Sequence, residues 1–480
     1  MKHHTIPLPY LGLNTTIEPT RIPDNMFPCI TGMWVRNGII EDVPVALDEE
    51  VLPTITGTVL LVTEYLPLNG VPLLVVGTST GLYTWRGGVW ETLLTASVPS
   101  WDSTHYAGRI CFAGFGVGIY GWDGENPLEQ IVSWCSAKFI TTYQERLVLA
   151  KTIEHGSDQA QRVRWNKPGQ YNVWEEVDFA DLIDDPTPIM SVVKVGDEPV
   201  IFKQNSTLVM RDFAFYTILH AMGAYTAIAW ENKAFFYNKL GVFLFDGSRW
   251  PEEISVPVKK NLQGTFNENT KLVLWTKYDH LLLITPQLSL GYNFKEKAWS
   301  KLGFETIPNV IFPDWEQSSG TRWSDLQVLE TKWSDYPSTR WSELYTKTTG
   351  VGFVASGSSF KKLGYNKIDR SLLLDTKRFP MAEYGVQKCR FLWLDFECLR
   401  NGGTLTVRIT KEREEGWKKI REISGLITGK WETRKLPVDL LGEYFQITFH
   451  LDITDIVDPD FPALQLRNFG FYYLPREEIM

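Results

Sequence analysis

Three places in the chain carry residues whose types and spacing could do chemistry. In Asp181-Leu182-Ile183-Asp184-Asp185-Pro186 three carboxylates crowd a short run and could supply oxygens to a hard cation. The commoner role for such a run is a solvated turn. His450 and Asp452 stand two apart, so a strand would put them on one face, but no third ligand lies nearby in sequence, and an exposed pair is the simpler reading. Third, a phrase repeats three times: Thr321-Arg322-Trp323-Ser324-Asp325, Thr331-Lys332-Trp333-Ser334-Asp335 and Thr339-Arg340-Trp341-Ser342-Glu343. Each copy sets a cation, an indole and an acid together. Arg322, Trp323, Lys332, Trp333, Arg340 and Trp341 suit an exposed binding or assembly loop, because Trp and Arg are the usual anchors of protein interfaces. The competing reading is three irregular turns that pack Trp against their own domain.

Signatures of catalysis do not stand in the chain. The seven His are scattered, with no HExxH or HxH. There is no GxSxG, no phosphate loop ending in GK[ST], and no SxxK set with partners. Phe245-Asp246-Gly247-Ser248-Arg249-Trp250 resembles the Asp-box turn of sialidase propellers, which is structural and lies away from chemistry. The sequence therefore reads as a protein without catalytic residues, cofactor or metal.

The elements that must hold these residues are strands. Gly81-Leu82-Tyr83-Thr84-Trp85-Arg86-Gly87-Gly88-Val89-Trp90, Gly118-Ile119-Tyr120-Gly121-Trp122-Asp123-Gly124, Gly241-Val242-Phe243-Leu244-Phe245-Asp246-Gly247 and, more loosely, Gly291-Tyr292-Asn293-Phe294 repeat a glycine, an aromatic strand and a turn. Gly-Gly and Asp-Gly between strand-forming residues mark hairpins, because their turns need positive φ. The copies begin 37, 123 and 50 residues apart, and 123 is three steps of 41. With degenerate copies at residues 162–165 and 206–210, the spacing predicts six blades of a β-propeller, of three or four strands each. An irregular sandwich array is the alternative.

The chain divides on this reading into an extended Pro-rich arm (1–53), the propeller (54–305), a Trp-rich inserted loop (306–350) and a C-terminal β-sandwich or jelly-roll-like unit (351–480). The expected fold class is all-β. The arm carries seven Pro, which resist regular ladders. The last unit rests on strand-like runs at 390–396, 404–410, 443–449 and 467–473.

Composition narrows the partners. A net charge of −9 argues against a dedicated nucleic-acid surface, which needs clustered Lys and Arg. Five Cys without a CxxC fit buried free thiols in a reducing compartment. The longest apolar tracts are of strand length, so no membrane span is expected.

Three stretches resemble the tail nozzle, or tail tubular protein B-like hub, family of short-tailed bacteriophages. They are Gln144-Glu145-Arg146-Leu147-Val148-Leu149-Ala150 with Arg162-Val163-Arg164-Trp165-Asn166 and Trp174, the Gly-rich hairpins with Leu82-Tyr83, and Tyr444-Phe445-Gln446-Ile447-Thr448-Phe449 with Leu466-Arg467-Asn468-Phe469-Gly470-Phe471. The likeness spans most of residues 50–480 by pattern, and the Trp-Ser-Asp repeat departs from it. It implies a virion structural protein, assembled in the host cytoplasm, forming a homo-hexameric or dodecameric ring below the portal. Such a ring continues the DNA channel without binding DNA tightly and docks portal or adaptor proteins and tail fibres or spikes. The alternatives are a carbohydrate-binding, receptor-recognising fibre component and, further off, a propeller glycosidase.

Overall fold

The computed structural model describes residues 1–67, 72–248, 250–265, 270–303, 310–312, 353–365, 369–381, 389–411, 419–423, 431–456 and 461–475. The fold is all-β and propeller-like. The helical turns among the described residues are Val256–Val258, Lys259–Leu262 and Thr276–Tyr278. The chain forms two compact units: one of residues 1–48, 233–307 and 363–480, the other of residues 49–232 and 308–362.

The second unit is a series of four-stranded antiparallel sheets. Val59–Tyr65, Leu73–Thr78, Gly81–Arg86 and Val89–Thr95 make one. Trp101–Tyr106, Arg109–Gly114, Gly118–Trp122 and Glu129–Val132 make the next. Cys135–Tyr143, Arg146–Glu154, Ser157–Trp165 and Phe179–Asp181 follow, and then Ile189–Val195, Glu198–Lys203, Thr207–Arg211 and Ala214–Leu219. Each sheet packs face to face on its neighbour. Tyr65, Val75, Leu82, Trp101, Phe112 and Trp122 fill one interface, and Cys111, Ile119, Ala137, Leu147 and Leu149 the next. The middle strands have cores on both faces and are near-continuously buried, as in Leu73–Thr78 and Gly118–Trp122. The first strands stay half-exposed along most of their length, as in Val59–Tyr65 and Trp101–Tyr106.

Gly81, Gly118 and Gly241 each start the third strand of their sheet, while Gly291 of the looser copy lies within Ser289–Asn293. At Gly81 a Cβ would stand 2.0 Å from the Leu94 carbonyl oxygen, and at Gly241, with φ of 146°, 2.2 Å from Ser255 Oγ. Only hydrogen fits so close an approach.

The six sheets expected from the repeat are present: these four, Thr226–Trp230 with Lys233–Asn238, Gly241–Phe245 and Glu252–Glu253, and Lys271–Trp275 with His280–Ile284, Ser289–Asn293 and Ala298–Lys301. A seventh four-stranded sheet joins them, built from Val310–Phe312, Phe353–Ser356, Ser359–Gly364 and Val45–Leu52. Repeat spacing misses it because its strands come from distant parts of the chain. Within the second unit Phe353, Ala355 and Phe360 of this sheet pack on Val59, Leu74, Val76 and Tyr83.

In the first unit the C-terminal strands form a two-layer sandwich. One layer runs Glu432–Gly442, Cys389–Arg400, Leu464–Pro475, Ile39–Asp42 and Met33–Arg36. The other contains Cys29–Thr31, Arg370–Asp375, Tyr444–Ile456, Gly402–Lys411 and Lys419–Ile423. Phe391 meets Phe445, and Phe396 meets Phe449, at ring-centre separations of 5.0 and 5.1 Å between the layers. The N-terminal residues are strands of this sandwich. Lys2–Thr5 pairs antiparallel with Gly470 to Tyr473 of Leu464–Pro475, covering part of that strand's free edge. Asp42, fully buried, accepts from Arg370 and, at 3.2 Å, from the Leu464 backbone N–H. Cys29–Thr31 pairs with Ala298–Lys301 on one side and Arg370–Asp375 on the other. A hairpin sheet and a sandwich layer thereby become one twelve-stranded sheet. All five Cys are free thiols, four of them buried and Cys29 half-buried.

Candidate functional site

The six residues expected to mediate assembly, Arg322, Trp323, Lys332, Trp333, Arg340 and Trp341, lie outside the described residues. The acidic run is described, and each carboxylate has its own partner. Arg162 donates to Asp181 through Nε and Nη2, at 2.8 and 2.9 Å, which lowers the Asp181 pKa. Asp185 accepts from the Thr187 and Ser206 hydroxyls at 2.7 and 3.1 Å, while Asp184 accepts from Thr217 at 3.0 Å. The completely buried Lys203 ammonium donates to the Leu182 carbonyl at 2.6 Å, to the Asp185 carbonyl, and to Asp184 Oδ1 at 3.4 Å. The cation this turn is built around is a lysine of the chain itself. His450 Nε2 and Asp452 Oδ1 lie 3.4 Å apart on one face of Tyr444–Ile456. Among the described residues no group of three or more His, Cys, Asp or Glu is arranged to hold a metal.

The Asp-box-like turn is a local structural motif. Asp246 Oδ1 accepts the Ser248 N–H at 3.0 Å, and the Trp250 side chain stands 87% exposed. Its exposure leaves the indole free to meet a partner.

The Gln144–Ala150 and Arg162–Asn166 phrases meet on the third sheet of the second unit. Buried Glu154 accepts from Arg164 at both oxygens and from Arg162 and Thr152, all at 2.9 Å. Burial works against the Glu154 charge, but these hydrogen bonds prevail, so its carboxyl sits below the usual range. Arg164 also donates to the Glu175 and Glu176 carbonyls and lies over Trp134 at 4.8 Å. Asn166 Oδ1 accepts the Leu147 N–H at 2.6 Å, and its Nδ2 donates to the Gln170 carbonyl at 2.8 Å. The conspicuous charges of this phrase are thus committed to framework.

A cavity of about 420 Å³ opens beside that framework, lined by His105, Tyr106, Ala107, Thr142, Tyr143, Gln144, Glu145, Gly169 and Lys194. Two hairpin turns shape it. Ala107-Gly108 and Gln144-Glu145 have positive φ at both central positions (50° and 70°, then 43° and 56°), the conformation of tight two-residue hairpins. The Glu145 carbonyl accepts from the Tyr106 hydroxyl at 2.6 Å and the Gly169 N–H at 2.9 Å, which pins the second turn. Gln144 Nε2 donates to Asp212 Oδ1 at 2.9 Å and to the Tyr143 hydroxyl at 3.1 Å. The Asp212 N–H donates to the same hydroxyl at 3.0 Å. Lys194 Nζ stands 3.6 Å from Asp197. Reading by motif passes over these residues, because their signal is only a two-residue turn between strands. What gathers them is the stacking of successive sheets.

No protein-family model matches the sequence, and no curated protein matches it. Among solved structures the chain is similar to an extracellular domain from B. thetaiotaomicron, with 11% identity and a TM-score of 0.41, covering 75% of this chain and 45% of that one. It is also similar to PorZ, a surface component of the type-IX secretion system of Porphyromonas gingivalis, with 10% identity, a TM-score of 0.38, and 66% and 38% covered. An exo-beta-1,3-galactanase of Phanerochaete chrysosporium shares 10% identity at a TM-score of 0.27, with 89% and 100% covered. The chain spans less than half of the first two. At such scores these likenesses say nothing about activity or partners.

Proposed function

We propose that the protein is a structural component of a short-tailed bacteriophage tail, a ring-forming nozzle or hub subunit without catalytic activity. The observation that carries this reading is the continuous twelve-stranded sheet of the first unit. Swinging its hairpin portion against its sandwich portion would break the Thr31–Lys301 pairing and the Gly32 N–H bond to the Lys301 carbonyl at 2.9 Å, so this unit is suited to holding its parts in place rather than to closing over a substrate. The family-like phrases support it, since the Gln144–Ala150 and Arg162–Asn166 stretches form one tightly paired sheet. The net charge of −9 suits a channel through which DNA passes without being held. In the ring each copy would contact the next head to tail, with residues 313–345 as the contact loop.

The test is the mass and symmetry of the purified full-length protein, by light scattering and negative-stain class averages. A six- or twelve-fold ring with a central pore supports the proposal. A monomer that fails to ring even when mixed with a portal complex overturns it and leaves the second reading, a carbohydrate-binding component of a receptor-recognising fibre. The cavity of the second unit, lined in part by Tyr143, Gln144, Glu145 and Lys194, favours that reading.

A further inference from the structure

We infer that the cavity beneath the Ala107-Gly108 and Gln144-Glu145 turns is a binding site for a neutral polyol, a mono- or disaccharide unit carrying a vicinal diol. The inference deepens the carbohydrate-binding reading and does not depend on ring formation.

Both amide hydrogens of Gln144 are committed, to Asp212 Oδ1 and to the Tyr143 hydroxyl. Because the carboxylate of Asp212 can only accept, it fixes the orientation of the amide. Gln144 Oε1 therefore remains as an acceptor at the rim. The Tyr143 hydroxyl oxygen receives two donors, Gln144 Nε2 and the Asp212 N–H, so its own proton is left to be given away. A donor and an acceptor thus stand on adjacent residues that line one cavity.

A vicinal diol is the simple chemical complement of that pair. One hydroxyl accepts from Tyr143 while its neighbour donates to Gln144. Across the cavity, Glu145 offers carboxylate acceptors, Lys194 and His105 offer donors, and Thr142 offers a hydroxyl that can do either. Acidic and basic groups occur together, and Lys194 is already near Asp197, so no net field selects an anion. The volume lies within the usual range for small-molecule sites, at its smaller end. The turns are pinned by the Tyr106 and Gly169 bonds to the Glu145 carbonyl, so little ordering remains to be done on binding.

The test titrates glucose, galactose, N-acetylglucosamine, lactose and cellobiose into the full-length protein, with saturation-transfer NMR and calorimetry as readouts. 2-Deoxyglucose serves as the probe lacking one hydroxyl of a pair. Gln144→Asn tolerates the positive φ of the turn but withdraws the acceptor, and His105→Ala removes an exposed donor. Saturable binding of at least one sugar is expected, weakened about ten-fold or more by each variant with thermal unfolding unchanged. The absence of binding by all five sugars overturns the inference, as does binding that both variants retain in full.

Discussion

Arg164 and Glu154 meet as a two-point ion pair almost sealed from water: Nε donates to Oε1 and Nη2 to Oε2, each at 2.9 Å, with the side chains 2% and 7% exposed. The planar guanidinium matches both carboxylate oxygens at once, which Lys does not. Removing one partner leaves the other charge buried. Because Arg162 and Thr152 still donate to Glu154, Arg164→Ala is expected to cost about 2–3 kcal/mol of stability, read by urea denaturation. Arg164→Lys should recover only a minor part. A loss below about 1 kcal/mol for the alanine variant would contradict this account of the third sheet.

Two carboxyls of opposite shift should shape the pH profile. Asp24 is held down to about 2: burial opposes its charge, but His4 and Lys377 outweigh that penalty. Its stabilising contribution is present above the ordinary carboxylate range near pH 4 and is lost as pH falls toward 2. Asp102 is pushed up to about 6 by burial, despite accepting the Ser103 and Ile140 N–H groups at 2.9 Å. The folded chain then keeps a proton that the unfolded chain releases, so this group's contribution falls as pH rises from about 4 through 6. Urea midpoints measured across pH should show a shallower acid limb in Asp24→Asn and a smaller slope between pH 4 and 6 in Asp102→Asn, each relative to wild type. Curves parallel to wild type in both variants would refute these assignments.

Gly81→Ala tests the reason for the glycine in the repeated phrase. The added methyl meets the Leu94 carbonyl at 2.0 Å, so backbone must move or the strand pairing must break. A loss of about 2 kcal/mol or more is expected in chemical denaturation, against about 1 kcal/mol or less for Gly87→Asn, where a Cβ meets nothing within 4 Å and Asn tolerates the turn's φ of 59°.

Deleting residues 313–345, or replacing Trp323, Trp333 and Trp341 together by Ala, should leave a protein with unchanged circular dichroism that no longer forms rings. Rings of normal symmetry from either variant would remove this loop from the proposed assembly.

Local rules made much of the molecule legible. Alternation, β-branched and aromatic runs, and glycine-bearing turns marked the strands of six sheets, because a strand's type depends on its own side chains and its hairpin on the two residues between. Which distant edges pair is decided elsewhere. Nothing in Lys2–Thr5 names residues 470–473 as its partner, and nothing in Val45–Leu52 names Ser359–Gly364 as its neighbour. An unpaired edge of N–H and C=O groups accepts any strand of suitable shape, so only packing selects the partner. Likewise, the sequence presented Asp181, Asp184 and Asp185 as three free carboxylates, while the fold brought a buried Lys203 among them. The diol-sized cavity has the same origin. Its turns are written locally, but the stacking of sheets places Tyr143, Gln144, His105 and Lys194 around one space.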